Sequence, residues 1–221
     1  MRGNDMKRII HLVPFIVFLI FIGGYMPLHG QESVEQYLMG LDEPSKEDYI
    51  QLLYEGSHEN QVLAITKLAE MADEGDEEVF EALIFGLQQG TIYVKRQYNK
   101  VVNDFWDVRA ASAYALGELG NPEALPHLYL SLRYDPDNHV RAEVAAAIGK
   151  IGDPDSIPIL ERVIETSSAA GPDDAVVLGC VEALGEIGHR DGFVPLLEVM
   201  RGDFRRSIRL AARDSMKKIR W

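Results

Sequence analysis

The chain has 221 residues, 47% of them hydrophobic and 26% charged, with a formal net charge of -13. That balance suits one folded domain of ordinary size and argues against a disordered chain. It also excludes nucleic acid as a default partner, because so acidic a surface repels a phosphate backbone.

Residues 1–30 read as an export signal. Arg2, Lys7 and Arg8 stand against Asp5, an apolar run follows from Ile9 to Ile22, and Gly23, Gly24 and Pro27 break any helix before polar sequence begins at Gln31. The run is shorter than the ~20 residues a helix needs to cross a bilayer core. Cleavage is expected after Leu28-His29-Gly30, and the alternative is a retained membrane anchor over residues 9–28. No cysteine follows the run, which argues against a lipid-anchored start. Loss of this segment removes a net +2 and leaves the mature domain, residues 31–221, at -15. The expected location is therefore periplasmic or extracellular.

Residues 31–90 open acidic. Fifteen carboxylates lie between Glu32 and Glu81, against only Lys46 and Lys67. Ser33-Val-Glu-Gln36 has the form of a capping box, and Ser45 after Pro44 is a second helix start. The helix from Lys46 to Tyr54 is expected to form a single first layer. Ala64-Ile-Thr-Lys-Leu-Ala-Glu-Met71 then carries an apolar stripe at helical spacing.

Residues 91–106, Thr91 to Trp106, break the pattern with four aromatics and three cations in an acidic region. Alternation in Ile92-Tyr93-Val94-Lys95 points to extended chain, whereas Gln97 to Val102 is equally compatible with a short helix. Either this insertion is a binding element, or Phe105 and Trp106 plug a gap between layers.

From Val108 the chain repeats itself. The segments 108–120, 140–152 and 176–188 nearly superimpose, and a weaker copy starts at Ile208, at spacings of 32, 36 and 32 residues. In each copy apolar residues recur at three- and four-residue steps, as Val108, Ala115, Leu116 and Leu119 do, which makes one helical stripe. Small residues in register (Ala64, Ser112, Val144, Cys180, Ala212) let a neighbouring helix approach. Gly120, Gly152 and Gly188 sit where a helix closes in a left-handed turn. Asn121-Pro122-Glu123 and Asp153-Pro154-Asp155 then supply an N-cap, a proline at the first helical position and an acid in the first turn. A second stripe follows: Leu125, Leu128 and Leu132, with Ile157, Leu160 and Ile164, and Phe193, Leu196 and Met200. His189-Arg190-Asp191 replaces the Asn/Asp-Pro start in the unit after Gly188. The last segment, 201–221, holds eight Lys or Arg against Asp203 and Asp214, as a terminal repeat with a solvated outer face does.

A helical hairpin cannot bury two stripes alone, so successive hairpins must stack. The expected fold is all-α, an α-α superhelix of about four to five repeats. The pattern Val-Arg-x-x-Ala-x-x-Ala-Leu-Gly-x-Ile-Gly-(Asn/Asp)-Pro resembles the HEAT-like repeats typified by phycobilisome lyases, strongly over 108–200 and weakly over 46–90 and 203–219. That resemblance implies fold rather than activity, since such repeats serve as scaffolds, lyase subunits, a class of DNA glycosylase and a metal-dependent hydroxylase. The hydroxylase builds its site from paired His-Glu steps. Here only His58-Glu59 is such a pair, so no metal or cofactor is expected.

Cys180, the single cysteine, occupies a small-residue slot of the first stripe and reads as a buried hydrophobe. Arg109, Arg141 and Arg209 share one repeat position and are expected to form ion pairs between layers, for instance with Asp107 or Asp137. No Gly-rich phosphate loop, nucleophile elbow or CxxC appears, and no catalytic residue is assigned. The resulting expectation is a non-catalytic scaffold that holds a protein or peptide on a concave surface of second helices and on the insertion. The binding residues expected are Tyr93, Lys95, Arg96, Tyr98 and Lys100 from the insertion, with His127, Tyr129, Arg133, Arg162 and Arg201 from the second helices. The rival readings are a bilin-lyase-like enzyme or subunit and a purely structural spacer.

Overall fold

The computed structural model describes residues 40, 44–73, 75–167 and 171–221. The export signal and the Ser33–Gln36 start lie outside the described residues.

Ten α-helices and one small hairpin make up the described chain. A single helix, α1 (Lys46–Glu55), precedes the pair α2 (His58–Met71) and α3 (Glu77–Gln88). The hairpin strands β1 (Arg96–Gln97) and β2 (Lys100–Val101) follow. Three further pairs are α4 (Trp106–Leu119) with α5 (Leu125–Tyr134), α6 (Asn138–Ile151) with α7 (Ile157–Thr166), and α8 (Asp174–Ile187) with α9 (Phe193–Arg201). The last helix is α10 (Arg206–Met216). This is the expected all-α solenoid.

Local chemistry sets the helix ends. Ser45 and Asp48 form a reciprocal capping box at α1, with Asp48 Oδ2 accepting from the Ser45 amide at 2.8 Å. Gly120, Gly152 and Gly188 close α4, α6 and α8 at φ of 65°, 76° and 64°, a conformation that side chains with a Cβ resist. Asn121 and Asp153 accept amide hydrogens at the start of short 3-10 turns that lead into α5 and α7. His189 Nδ1 takes the same role before α9 at 3.4 Å, so the divergent unit keeps the turn with a different acceptor.

Both stripes are buried. Val108, Leu116, Val140, Ile148, Val176 and Leu184 from the first helices meet Leu128, Leu132, Leu160 and Leu196 from the second in one core. Leu52 and Leu53 of α1 join it, so the single first helix is packed rather than free. First helices approach one another closely. A Cβ on Gly117 would lie 2.8 Å from the Ala147 Cα, and one on Gly149 would lie 2.7 Å from the Ala183 Cα. Successive second helices barely touch.

A stack bends toward its tighter layer, so the concave side belongs to the first helices. The expectation of a concave surface of second helices is corrected: those helices form the widely spaced outer layer, with open grooves between them. On the inner layer, ion pairs join Glu118 to Lys150 and Glu186 to Lys218, all four at one repeat position.

Candidate functional site

The insertion is a β-hairpin, not a short helix. Arg96 pairs with Val101 and Gln97 with Lys100. Tyr98 and Asn99 form the turn at φ of 49° and 62°, the two positive values that a type I′ hairpin requires. Asn103 locks the base: its side-chain oxygen accepts from the Lys95 amide at 2.8 Å and its amide donates to the Tyr93 carbonyl at 2.9 Å. Below that, Tyr93 rests on Phe85, which in turn meets Tyr54, at ring separations of 4.8 and 4.5 Å. Lys95, Arg96, Tyr98 and Lys100 are all exposed, Tyr98 at 93%. Phe105 is half-buried and stacked on His58 at 4.1 Å. Trp106 is half-exposed beside His139, so it plugs no gap.

Arg109 anchors the segment that returns from the hairpin to α4. Its guanidinium, 1% exposed, donates to both carboxylate oxygens of Asp135, to Asp104 and to the Gln89 carbonyl. Burial alone pushes a guanidinium toward the neutral form, and the bonds to Asp135 and Asp104 reverse that and leave its pKa raised. Arg141, one repeat on, reaches the Leu132 carbonyl at 2.8 Å and Asn138 at 3.1 Å. In both repeats the arginine closes the carbonyl end of the preceding second helix. The partners differ from those expected, because Asp107 is bonded to His58 and Asp137 caps α6.

Between α5 and α7 lies a groove of about 580 Å³, lined by Tyr129, Arg133 and Tyr134 on one wall, Ile159, Arg162 and Val163 on the other, and Arg141. Arg133 lies over the Tyr134 ring at 5.1 Å, and Arg162 is 3.3 Å from Glu165. Tyr129 is fixed by its hydroxyl, 2.8 Å from Ser156 Oγ. A smaller hollow, lined by Ile92, Leu130 and Tyr134, shares residues with this groove and carries its apolar surface toward the base of the hairpin. The next groove, between α7 and α9, is lined instead by Glu161, Glu165 and Glu198. Burial, and then the charges of Glu165 and Glu198, raise the Glu161 pKa.

Of the expected binding residues, Tyr129, Arg133 and Arg162 share the α5–α7 groove, while Lys95, Arg96, Tyr98 and Lys100 share the hairpin. Tyr93 supports the hairpin from beneath. His127 is half-buried and bonded to Gln88 at 3.1 Å. Arg201 is exposed at the end of α9 and outside the groove. Sequence reasoning missed Leu130, Tyr134 and the groove role of Arg141. The signal for the first two was present, since both are large apolar residues that fall off the buried stripe of α5.

Cys180 is fully buried, and burial pushes its thiol up to about 12. Such a sulfur stays protonated and is neither nucleophile nor ligand at ordinary pH. Among the described residues, no group of three or more His, Cys, Asp or Glu is placed to hold a metal ion, and no helix is long and apolar enough to cross a membrane.

Residues 100–171 match a family profile described as HEAT repeats. No curated protein matches the sequence. Among solved structures, the chain is similar to the complex of CpcE and CpcF of phycocyanin lyase from Nostoc sp. PCC7120, at 22% identity and a TM-score of 0.62 over 81% of this chain. The match spans 66% of that chain, a little under two thirds of its length. At this identity the likeness speaks for fold alone. The profile match, the periodic sequence and the stacked hairpins together make this an α-solenoid, with HEAT-type repeats over residues 100–171.

Proposed function

We propose that this chain is a non-catalytic scaffold, exported to the cell envelope, that holds a protein or peptide partner on the hairpin and the outer grooves beside it. The observation that carries the reading is Tyr98. A tyrosine in the left-handed region costs about 1–2 kcal/mol relative to a residue suited to it, and this one is 93% exposed with φ of 49°. Its ring adds little to the fold, and backbone strain of this kind collects at functional positions. Tyr98 also stands among Lys95, Arg96 and Lys100, and Tyr and Arg are types that dominate interface energy. Export rests on the charge and apolar pattern of residues 1–30. If that segment is kept, residues 9–28 are the membrane contact.

The test is a variant with opposite effects on fold and binding. Tyr98→Asn is expected to raise the melting temperature slightly and to weaken capture of an envelope partner by the full chain. Unchanged capture by Tyr98→Asn and by Arg96→Ala refutes the hairpin as the contact. N-terminal sequencing of exported protein is expected to begin near Gln31, and an intact Met1 replaces cleavage by anchoring.

The likeness to a phycocyanin lyase complex supports a second reading, a lyase-like subunit. Attachment of a bilin to a phycocyanin subunit, stimulated by this chain, would favour it over the scaffold.

A further inference from the structure

The repeat supplies an internal template for the α5–α7 groove. Arg109 and Arg141 occupy one register position, 32 residues apart, and the C-caps of α5 and α7 are Asp135 and Ser167, again 32 apart. Both C-caps are extended, with φ, ψ of -62°, 132° and -84°, 146°. In the first repeat the C-cap carboxylate grips the arginine with both oxygens. In the second, a serine stands at that place, and its hydroxyl donates to the Val163 carbonyl instead. The nearest carboxylate to Arg141 in an ion pair is Asp173, at 3.8 Å, and the Arg141 side chain is 19% exposed against 1% for Arg109. Arg133 and Arg162 line the same groove, and Arg133 makes no ion pair among the described residues. Three guanidinium groups thus share one hollow on a chain of net charge -13. The neighbouring groove is acidic and repels what this one attracts.

We infer that the α5–α7 groove takes an acidic segment of a partner polypeptide, seating a carboxylate at Arg141 where Asp135 serves Arg109, and an adjacent apolar side chain on Ile159 and Val163. With Nε on the Leu132 carbonyl and Nη1 on Asn138, Arg141 offers Nη2 to the incoming carboxylate as a charge-assisted donor, and the wall between Tyr129 and Ile159 supplies the apolar contact. This deepens the scaffold reading and rests on it, since it names the chemistry that the partner must present.

The probe is a labelled short peptide of alternating Glu and Leu, with a Lys-Leu peptide as control, added to the full chain and followed by fluorescence anisotropy. The Glu-Leu peptide is expected to bind, more weakly as salt rises, and the control to fail. Ser167→Asp installs the internal carboxylate, so it is expected to raise the melting temperature and weaken the peptide about tenfold or more. The double variant Arg133→Glu with Arg162→Glu, both exposed positions, is expected to lose the peptide while keeping its helix content. Arg190→Glu, at an exposed arginine outside the groove, is expected to leave peptide binding unchanged. Equal binding by Ser167→Asp and by the double variant overturns the inference. Displacement by inorganic phosphate as readily as by unlabelled peptide also overturns it, leaving a general anion site. Partner capture separates the two claims: loss with the hairpin variants but not the groove variants retains the scaffold and removes the groove, and loss with neither removes both.

Discussion

Arg109 and Asp135 lie 26 residues apart in sequence and form a two-pronged buried pair, Nε to Oδ2 at 2.8 Å and Nη2 to Oδ1 at 3.3 Å. The pair ties the start of α4 to the end of α5 and closes the floor under the hairpin. Asp135→Ala strands a guanidinium in the core and is expected to cost about 3–5 kcal/mol in chemical denaturation. Asp104→Ala, whose carboxylate is half-exposed, is expected to cost far less. Equal losses would show that the hairpin root, not the buried pair, carries the energy.

The tight layer makes a sharper demand at Gly149. Its missing Cβ leaves room for the Ala183 backbone at 2.7 Å, so Gly149→Ala must push α6 and α8 apart. Overpacking of this kind costs about 1–3 kcal/mol, despite the better helix propensity of alanine. A rise in melting temperature would show that the layer spacing is soft.

Asp76 links charge to the N-terminal repeat. Its hydrogen bond to Lys46, at 2.6 Å, holds its pKa below the ordinary carboxylate value, and it also caps α3 through the Val79 amide. A depressed folded pKa adds stability above the unfolded pKa and loses it as pH falls through the folded value. Opening of α1–α3 on acidification is therefore expected to begin just below the normal carboxylate range, and Asp76→Asn is expected to flatten that dependence. Hydrogen exchange across residues 46–88 at stepped pH reads it, and an unaltered profile in the variant would assign the effect elsewhere.

Cys180 is expected to resist alkylation at mildly alkaline pH while the chain is folded, and to react at once in denaturant. Cys180→Ala is expected to fold. Rapid labelling of the native chain would contradict a thiol raised to about 12.

The solenoid was legible because every device that builds it acts over a few residues: stripe, left-handed glycine, proline at the first turn. Leu160 and Cys180 could be placed in the core from register alone. The grooves were not legible, because they depend on which helix layer is tighter, and that follows from glycine meeting alanine across repeats. Gly117 and Gly149 each stand one helical turn before the glycine that closes their helix, and their small size gives no sign of which neighbour they face. The hairpin was half legible: alternation suggested extended chain, but a turn of Tyr98-Asn99 lacks the glycine that usually announces one. Arg109 and Arg141 looked equivalent until the residue after each second helix, Asp135 or Ser167, was compared.

The inner-layer pairs Glu118–Lys150 and Glu186–Lys218 alternate in sign along the stack, and that alternation restricts how the array can change its number of units. Deleting one unit, residues 138–173, would set Glu118 beside Glu186, a like-charge contact unfavourable by a few tenths of a kcal/mol in helix models. Deleting two would set Glu118 beside Lys218 and keep the pairing. At this register position, deleting two units is therefore expected to disturb the inner layer less than deleting one.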